Sequence, residues 1–273
     1  MNMADYLSRG ASPFSTEEWA SIDAAVVNAA KTVLVGRKFI PLFGPVGAGT
    51  FVVPKDKLVE GEGNIIGSSG KTFIPLNTLY RDFVYPWRDI QFFEENNLPL
   101  DTNRASYAAT LLAAEEDKLI FYGDDSRGIE GILNANGKLE YAISNWQDGS
   151  AYDDIVNALA LLRSKYMVGP YVLVVSPVLY AALNKTYKDT PYLESERIEN
   201  LGVKIYQSPV LKDNDGFIVS TGSQNMDLVI GQDMITSFLE TTDMNHYFRV
   251  FEIIGLRVKN PESIVALKYK GEV

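Results

Sequence analysis

The 273-residue sequence has no cysteine and a single histidine, His246. Without cysteine there is no disulfide, no thiolate ligand and no thiol nucleophile. With one imidazole, a histidine-based metal site has at most one such ligand. A Ser-His-Asp hydrolase would have to use His246, yet no Gly-x-Ser-x-Gly elbow is present. His246 follows the polar stretch 241–245 and is expected at the surface. Positive charge is in deficit: 25 Lys and Arg stand against 35 Asp and Glu, a net charge of −10. That balance argues against nucleic acid as the main partner, because phosphate binding needs a basic face. Long apolar runs are missing too. No stretch approaches the roughly 20 residues needed to span a bilayer. The opening MNMADYLSRG lacks the apolar core of a signal peptide. Together these absences exclude membrane-spanning, disulfide-scaffold and nucleic-acid classes and fit a protein of the cytoplasm. There is also no internal repeat, low-complexity run or flexible linker.

What is present is ample core material. Hydrophobic residues make up 46% and charged residues 22%, the balance of a globular chain of one large domain or two smaller ones. The spacing predicts one long helix over 104–122. Asp101, Thr102 and Asn103 offer N-cap side chains, and Tyr107, Ala108, Leu111, Leu112, Leu119 and Tyr122 recur as an apolar stripe. Gly123 follows as the cap. A first helix is predicted to about residue 34, with Ser15 or Thr16 as N-cap and Glu17 and Glu18 in its first turn. Its main apolar face is Trp19, Ile22, Val26, Ala29, Ala30 and Val33. Ala24, Val27, Lys31 and Leu34 form a second stripe. Both stripes are core, or one of them receives something else.

Residues 1–13 read as a loose arm. Residues 40–75 are rich in Gly and Pro and read as an extended β-hairpin with little core of its own, so it must lie on something, for example a neighbouring subunit. Pro86-Trp87-Arg88 marks a bend. From 152 onward an amphipathic helix, the apolar run 171–175, short helices after Pro177 and near 195–200, and strands near 203–206, 216–220 and 226–230 make an α/β module. Residues 248–258 and 264–269 close the chain as strands.

Few residues suggest chemistry. Gly67-Ser-Ser-Gly70-Lys71-Thr72 resembles a phosphate loop, but Ile65 stands where the motif needs glycine, and no helix can start at the following Phe-Ile-Pro-Leu. The acids Glu115-Glu116-Asp117, Asp124-Asp125 and Asp153-Asp154 read as a solvated helix face and turn acids. Glu115 falls on the apolar stripe and is expected to be part-buried and paired. Trp87 either packs structurally or offers an exposed ring on which a flavin could stack. No other cofactor and no metal is expected. The pattern is that of a builder, not a catalyst.

The stretch 98–133, with Phe14 to Trp19, Gly36-Arg37-Lys38-Phe39, Gly169-Pro170-Tyr171, Gly231-Gln232-Asp233 and Asn260-Pro261-Glu262 in the same order, resembles the encapsulins, the nanocompartment shell proteins once described as linocin-type bacteriocins. The resemblance implies the α+β Hong Kong 97-type capsid fold. It divides the chain into a peripheral domain (1–40, 73–133 and 235–273), an extended loop (41–72) and an axial domain (134–234). It implies self-assembly into an icosahedral shell, T=1 or larger, that encloses dye-decolorising peroxidase or ferritin-like cargo. The cargo's C-terminal tail would dock against Val27, Ala30, Leu34 and Arg37, with Phe251 or Ile253 opposite and Arg37 holding carbonyls or a tail carboxylate. Tyr187, Lys188, Asp189 and Thr190 would line a pore. The alternatives are a phage-type major capsid protein and, from the family's older description, a bacteriocin or protease.

Overall fold

The computed structural model describes residues 5–61, 63, 65–186, 192–269 and 271. The first helix, α1 (Thr16–Val33), opens on the expected cap. Ser15 Oγ accepts the Glu18 N–H at 3.2 Å, and Glu18 Oε2 accepts the Ser15 N–H at 2.7 Å, a reciprocal capping box. A tight turn, Gly36–Lys38, then leads to β1 (Leu42–Phe43). The strands β2 (Val52–Glu60) and β3 (Ile66–Pro75) pair only with each other, and β4 (Asn77–Pro86) returns to the body. Pro86 does not bend the chain into a loop; it is the N-cap of α2 (Trp87–Glu95). The long helix α3 (Asn103–Tyr122) follows, within one residue of the expected span, and ends at Gly123.

The second half contains β5 (Leu139–Ile143), α4 (Ala151–Ser164), β6 (Tyr171–Val175), α5 (Pro177–Leu183), α6 (Glu194–Glu199), β7 (Val203–Gln207) and β8 (Gly216–Ser220). Two long strands, β9 (Met226–Thr242) and β10 (Asn245–Val258), form a hairpin. Its tip, Asp243-Met244, has φ of 51° and 62°, the left-handed pair that a two-residue type I′ turn requires. β11 (Ile264–Tyr269) ends the fold.

Two larger sheets result, ordered β1-β9-β10-β4 and β5-β11-β8-β6-β7. β9, which begins at Met226, lies wholly in the four-stranded sheet, and β11 lies in the five-stranded one. The two sheets share a core. Val172, Val174, Phe217 and Val219 belong to the cluster that contains α1 and α3, whereas Leu173, Val175 and Ile218 face α4, α5 and α6. This two-sided burial explains the unbroken apolar run 171–175. In the four-stranded half, the Phe248 ring stacks on Phe14 at 4.9 Å and on Phe83 at 5.4 Å.

The long helix corrects one sequence expectation. Tyr107 and Leu111 are exposed, and the buried side is Ala105, Ala108, Ala109, Leu112, Ala113, Glu116, Asp117, Ile120 and Phe121. Small residues on that side let α1 approach closely, and two carboxylates lie within the contact.

A groove between the first helix and a long strand

Val27, Ala30, Leu34 and Arg37 line one cavity of about 340 Å³, as the second stripe of α1 suggested. The other wall is not Phe251 and Ile253. It is Leu42 of β1 with Asp233 and Met234 of β9, and Lys31 and Lys38 stand at the rim. Val27 is 41% exposed, whereas Leu34 is 7% exposed and packs with Ala30 and Ala113. The stripe thus does two things: Leu34 is part of the core and Val27 is left exposed.

Phe251 and Ile253 lie one strand away, on β10, both buried. Phe251 is covered by the ring of Tyr6 at 6.2 Å, edge-on. Segment 5–11 is therefore ordered, not loose. Arg9 makes a two-pronged ion pair with Asp23, 2.7 and 2.8 Å, and its guanidinium sits 4.4 Å over the Trp19 ring.

Arg37 is not free to hold a tail. Nε and Nη2 donate to Glu116 Oε1 and Oε2 at 2.7 and 3.0 Å, Nη2 also donates to Glu252 Oε2 at 2.7 Å, and Nη1 donates to Asp233 Oδ1 at 2.6 Å. Most of its N–H donors are committed to three carboxylates, and an arriving carboxylate would meet those three first. Burial opposes the charge on Arg37, but its partners outweigh burial and keep it protonated. Glu116 and Glu252 are each 0% exposed. Burial and the facing Glu116 push the Glu252 carboxyl well above the usual carboxylate range.

Next to this cluster, Asp117 ties α3 to the turn after α1. Its Oδ2 and Oδ1 accept the N–H groups of Val35 and Gly36 at 2.7 and 2.9 Å. Gly36 permits the approach, since a Cβ there would stand 3.0 Å from Ile120 Cδ1 and 3.2 Å from Asp117 Oδ1. Burial pushes Asp117 up to about 7 against the pull of these two donors.

Carboxyls raised in the folded state hold protons that the unfolded chain has released. Their contribution is therefore present at low pH and is lost as pH rises from the ordinary carboxylate range through the folded value. Glu252→Gln keeps the shape of the protonated acid. This variant should match wild-type thermal stability near pH 5 and exceed it near pH 8. A variant less stable than wild type at both pH values would show that Glu252 is needed as a carboxylate.

The remaining expected positions are placed as follows. Glu115 is part-exposed and pairs with Arg81 at 2.8 Å, so it is paired as expected, while the deeply buried acid is its neighbour Glu116. His246 is half-buried beside Thr241 Oγ1 at 2.8 Å. Trp87 is 42% exposed at the start of α2. Tyr187, Lys188, Asp189 and Thr190 lie outside the described residues. Among the described residues no group of three or more His, Cys, Asp or Glu could hold a metal ion. No helix among them is long and apolar enough to cross a membrane.

Two sheets, a long internal helix and a β2–β3 arm that pairs with itself make up a capsid-type fold. The fold is similar to the virus-like particle from Pyrococcus furiosus (TM-score 0.77, 24% identity, covering 93% of this chain and 99% of that one). It is also similar to the capsid of Myoviridae phage XM1 (TM-score 0.63, 17% identity, 83% and 88% covered).

Residues 3–255 match Linocin_M18, described as an encapsulating protein for peroxidase, and the chain belongs to this encapsulin family. It is 39% identical over 282 residues to the type 1 encapsulin shell protein EncA of Myxococcus xanthus, with 98% of each covered. It is 30% identical over 179 residues to a ferritin-like-encapsulin shell fusion protein of Pyrococcus furiosus, covering 64% of this chain and 49% of that one. It is a structural shell protein, not an enzyme.

Proposed function

We propose that copies of this chain close into an icosahedral shell in the cytoplasm, and that the groove between α1 and β9 captures the C-terminal tail of an enclosed enzyme. The observation that carries the capture step is the half-exposed stripe: Val27, Leu42 and Met234 over a floor of Ala30 and Leu34. Among the described residues, Val27 and Leu42 on the open side of this groove are left uncovered, 41% and 54% exposed. The family description and the ferritin-like fusion relative support peroxidase or ferritin-like cargo.

Two or three apolar side chains fill such a groove, each worth about 1.5–3 kcal/mol when fully buried. Association costs take back much of that sum. One tail therefore binds modestly, and loading depends on many sites engaging a multivalent cargo. Because Leu34 is core, Val27 is the better position to change. Val27→Asp should leave shells intact and reduce co-expressed cargo to a small fraction of the wild-type load, measured by gel densitometry of purified particles. Wild-type loading in that variant would place the capture site elsewhere.

A second cleft, about 950 Å³, lies between α3, β4 and the turn near Val210. Leu79, Leu111, Leu119 and Leu133 line it, with the cations Arg81, Lys118, Arg127 and Lys212 and the acids Glu115, Asp124 and Asp125. The tip of the β2–β3 arm carries exposed Leu58, Val59, Ile65 and Ile66 beside Glu60. We assign this cleft to the arm of a neighbouring copy. For the cofactor, the half-exposed Trp87 ring supports a flavin as a further reading, tested by the visible absorbance of purified shells.

A further inference from the structure

Past Val27, α1 and β9 are bridged by a residue from the segment before α1. The two walls of the groove are α1 and β9. One helical turn beyond Val27, Arg9 bridges the same two walls. Its Nη1 and Nη2 donate to Asp23 of α1 at 2.8 and 2.7 Å, while Nε donates to the Thr236 carbonyl of β9 at 3.0 Å. Asp23 lies on the stripe that continues through Val27, Ala30 and Leu34, since residues three and four apart share a helix face. Tyr6 anchors the same segment to β9. Its hydroxyl donates to Gln232 Oε1 at 2.8 Å, directly before Asp233 and Met234 of the groove wall, and its ring covers Phe251. Arg9 is held at three points: by the ion pair, by the carbonyl and by the Trp19 ring at 4.4 Å.

We propose that segment 5–11, through Arg9 and Tyr6, is the end stop of the groove and sets the length of the chain that docks there. Val27 to Leu34 spans seven residues of helix, about 10 Å at roughly 1.5 Å per residue. An extended segment covers about 3.3 Å per residue, so about three residues fit along this lined stretch, with Arg9 one helical turn beyond it. The apolar stretch recognised is short, two alternate side chains on one face. Any further residues of the tail leave the groove at Arg9. The stop selects tails by length as well as by apolar character, and this rests on the docking reading above.

The test uses assembled shells of the full chain and fluorescein-labelled Gly/Ser dodecapeptides that carry either two or four leucines at alternate central positions. The peptides have equal length, so only the buried leucines differ. In anisotropy titrations, wild-type shells should bind the two probes within about threefold of each other, because the additional leucines find no groove. Arg9→Gln and Tyr6→Ala/Arg9→Gln open the end. In these shells the four-leucine probe should bind at least about tenfold more tightly than the two-leucine probe, since one newly buried leucine is worth about that much. Arg9→Lys keeps the charge facing Asp23 but loses the forked geometry that reaches Thr236, and serves if Arg9→Gln shells do not form. Tenfold discrimination already in wild type would overturn the proposal, and so would its absence in every variant. Failure of wild-type shells to bind either probe would instead remove the docking reading, and the end stop with it.

Discussion

A chain in which residues 57–70 are replaced by Asn-Gly should fold and stay soluble but not form shells. Asp56 and Lys71 are paired across the arm, so a two-residue type I′ turn can close the hairpin at that point without changing its register. The base of the arm is anchored to its own body. Val53 is buried, Lys55 pairs with Glu130 at 3.3 Å, and Arg257 donates to the Pro54 carbonyl at 3.0 Å. Beyond Asp56 almost nothing of the arm is covered, although Leu58, Val59, Ile65 and Ile66 are apolar. A two-stranded ribbon with exposed leucine and isoleucine is marginal in water by itself. Its stability must come from another surface, and removing the tip removes that contact from every subunit at once. Size-exclusion chromatography with light scattering checks the result. The expected species is a folded monomer or small oligomer, and shells of normal size from the shortened chain would contradict it.

Arg37→Met should be the most destabilising single change near the groove. It leaves Glu116 and Glu252 buried without a cation, and breaking a buried ion pair by removing one partner costs about 3–5 kcal/mol. The loss should shrink at low pH, because protonating the stranded Glu252 carboxyl removes its uncompensated charge. A denaturant melt at pH 5 and pH 8 reads both effects, with the larger loss expected at pH 8. Equal loss at the two pH values would show that packing, not charge, is what Arg37 supplies. Arg37→Lys should fall between, since an ammonium cannot reproduce the fork that engages Glu116 with two atoms and also reaches Glu252 and Asp233.

Much of this was legible in residue spacing. The capping box of α1, the span of α3, the doubly covered strand at 171–175 and the uncovered arm all follow from local pattern, because each depends on neighbours in sequence. The second stripe, Ala24, Val27, Lys31 and Leu34, was visible for the same reason. The opposite wall was not. Phe251 and Ile253 are apolar and lie on a strand near the right place, but whether that position faces the groove depends on where β9 runs and on Tyr6 covering Phe251. Asp233 and Met234 reach the groove through long-range pairing that spacing does not encode. The signal available for them was the Gly231-Gln232-Asp233 run itself.

The buried acids show the same limit from the other side. Glu116 sits one turn from both Leu112 and Ile120, and Glu252 interrupts the apolar run of β10. Each is a charge on a buried face, which announces a paired cluster without naming the partner. The partner, Arg37, lies 79 residues before Glu116 and 215 residues before Glu252. Likewise β11 follows β10 in sequence yet pairs with β5 and β8 in the five-stranded sheet.

Electron microscopy at side-chain resolution, on wild-type particles co-expressed with an enzyme bearing a C-terminal apolar tail, tests the central claim most directly. The account predicts closed hollow particles with an extended density of about three residues between α1 and β9, running from Leu42 and Met234 toward Val27 and stopping at Arg9. Particles that fail to close, or loaded particles in which this groove is empty and the tail lies against another surface, would contradict it.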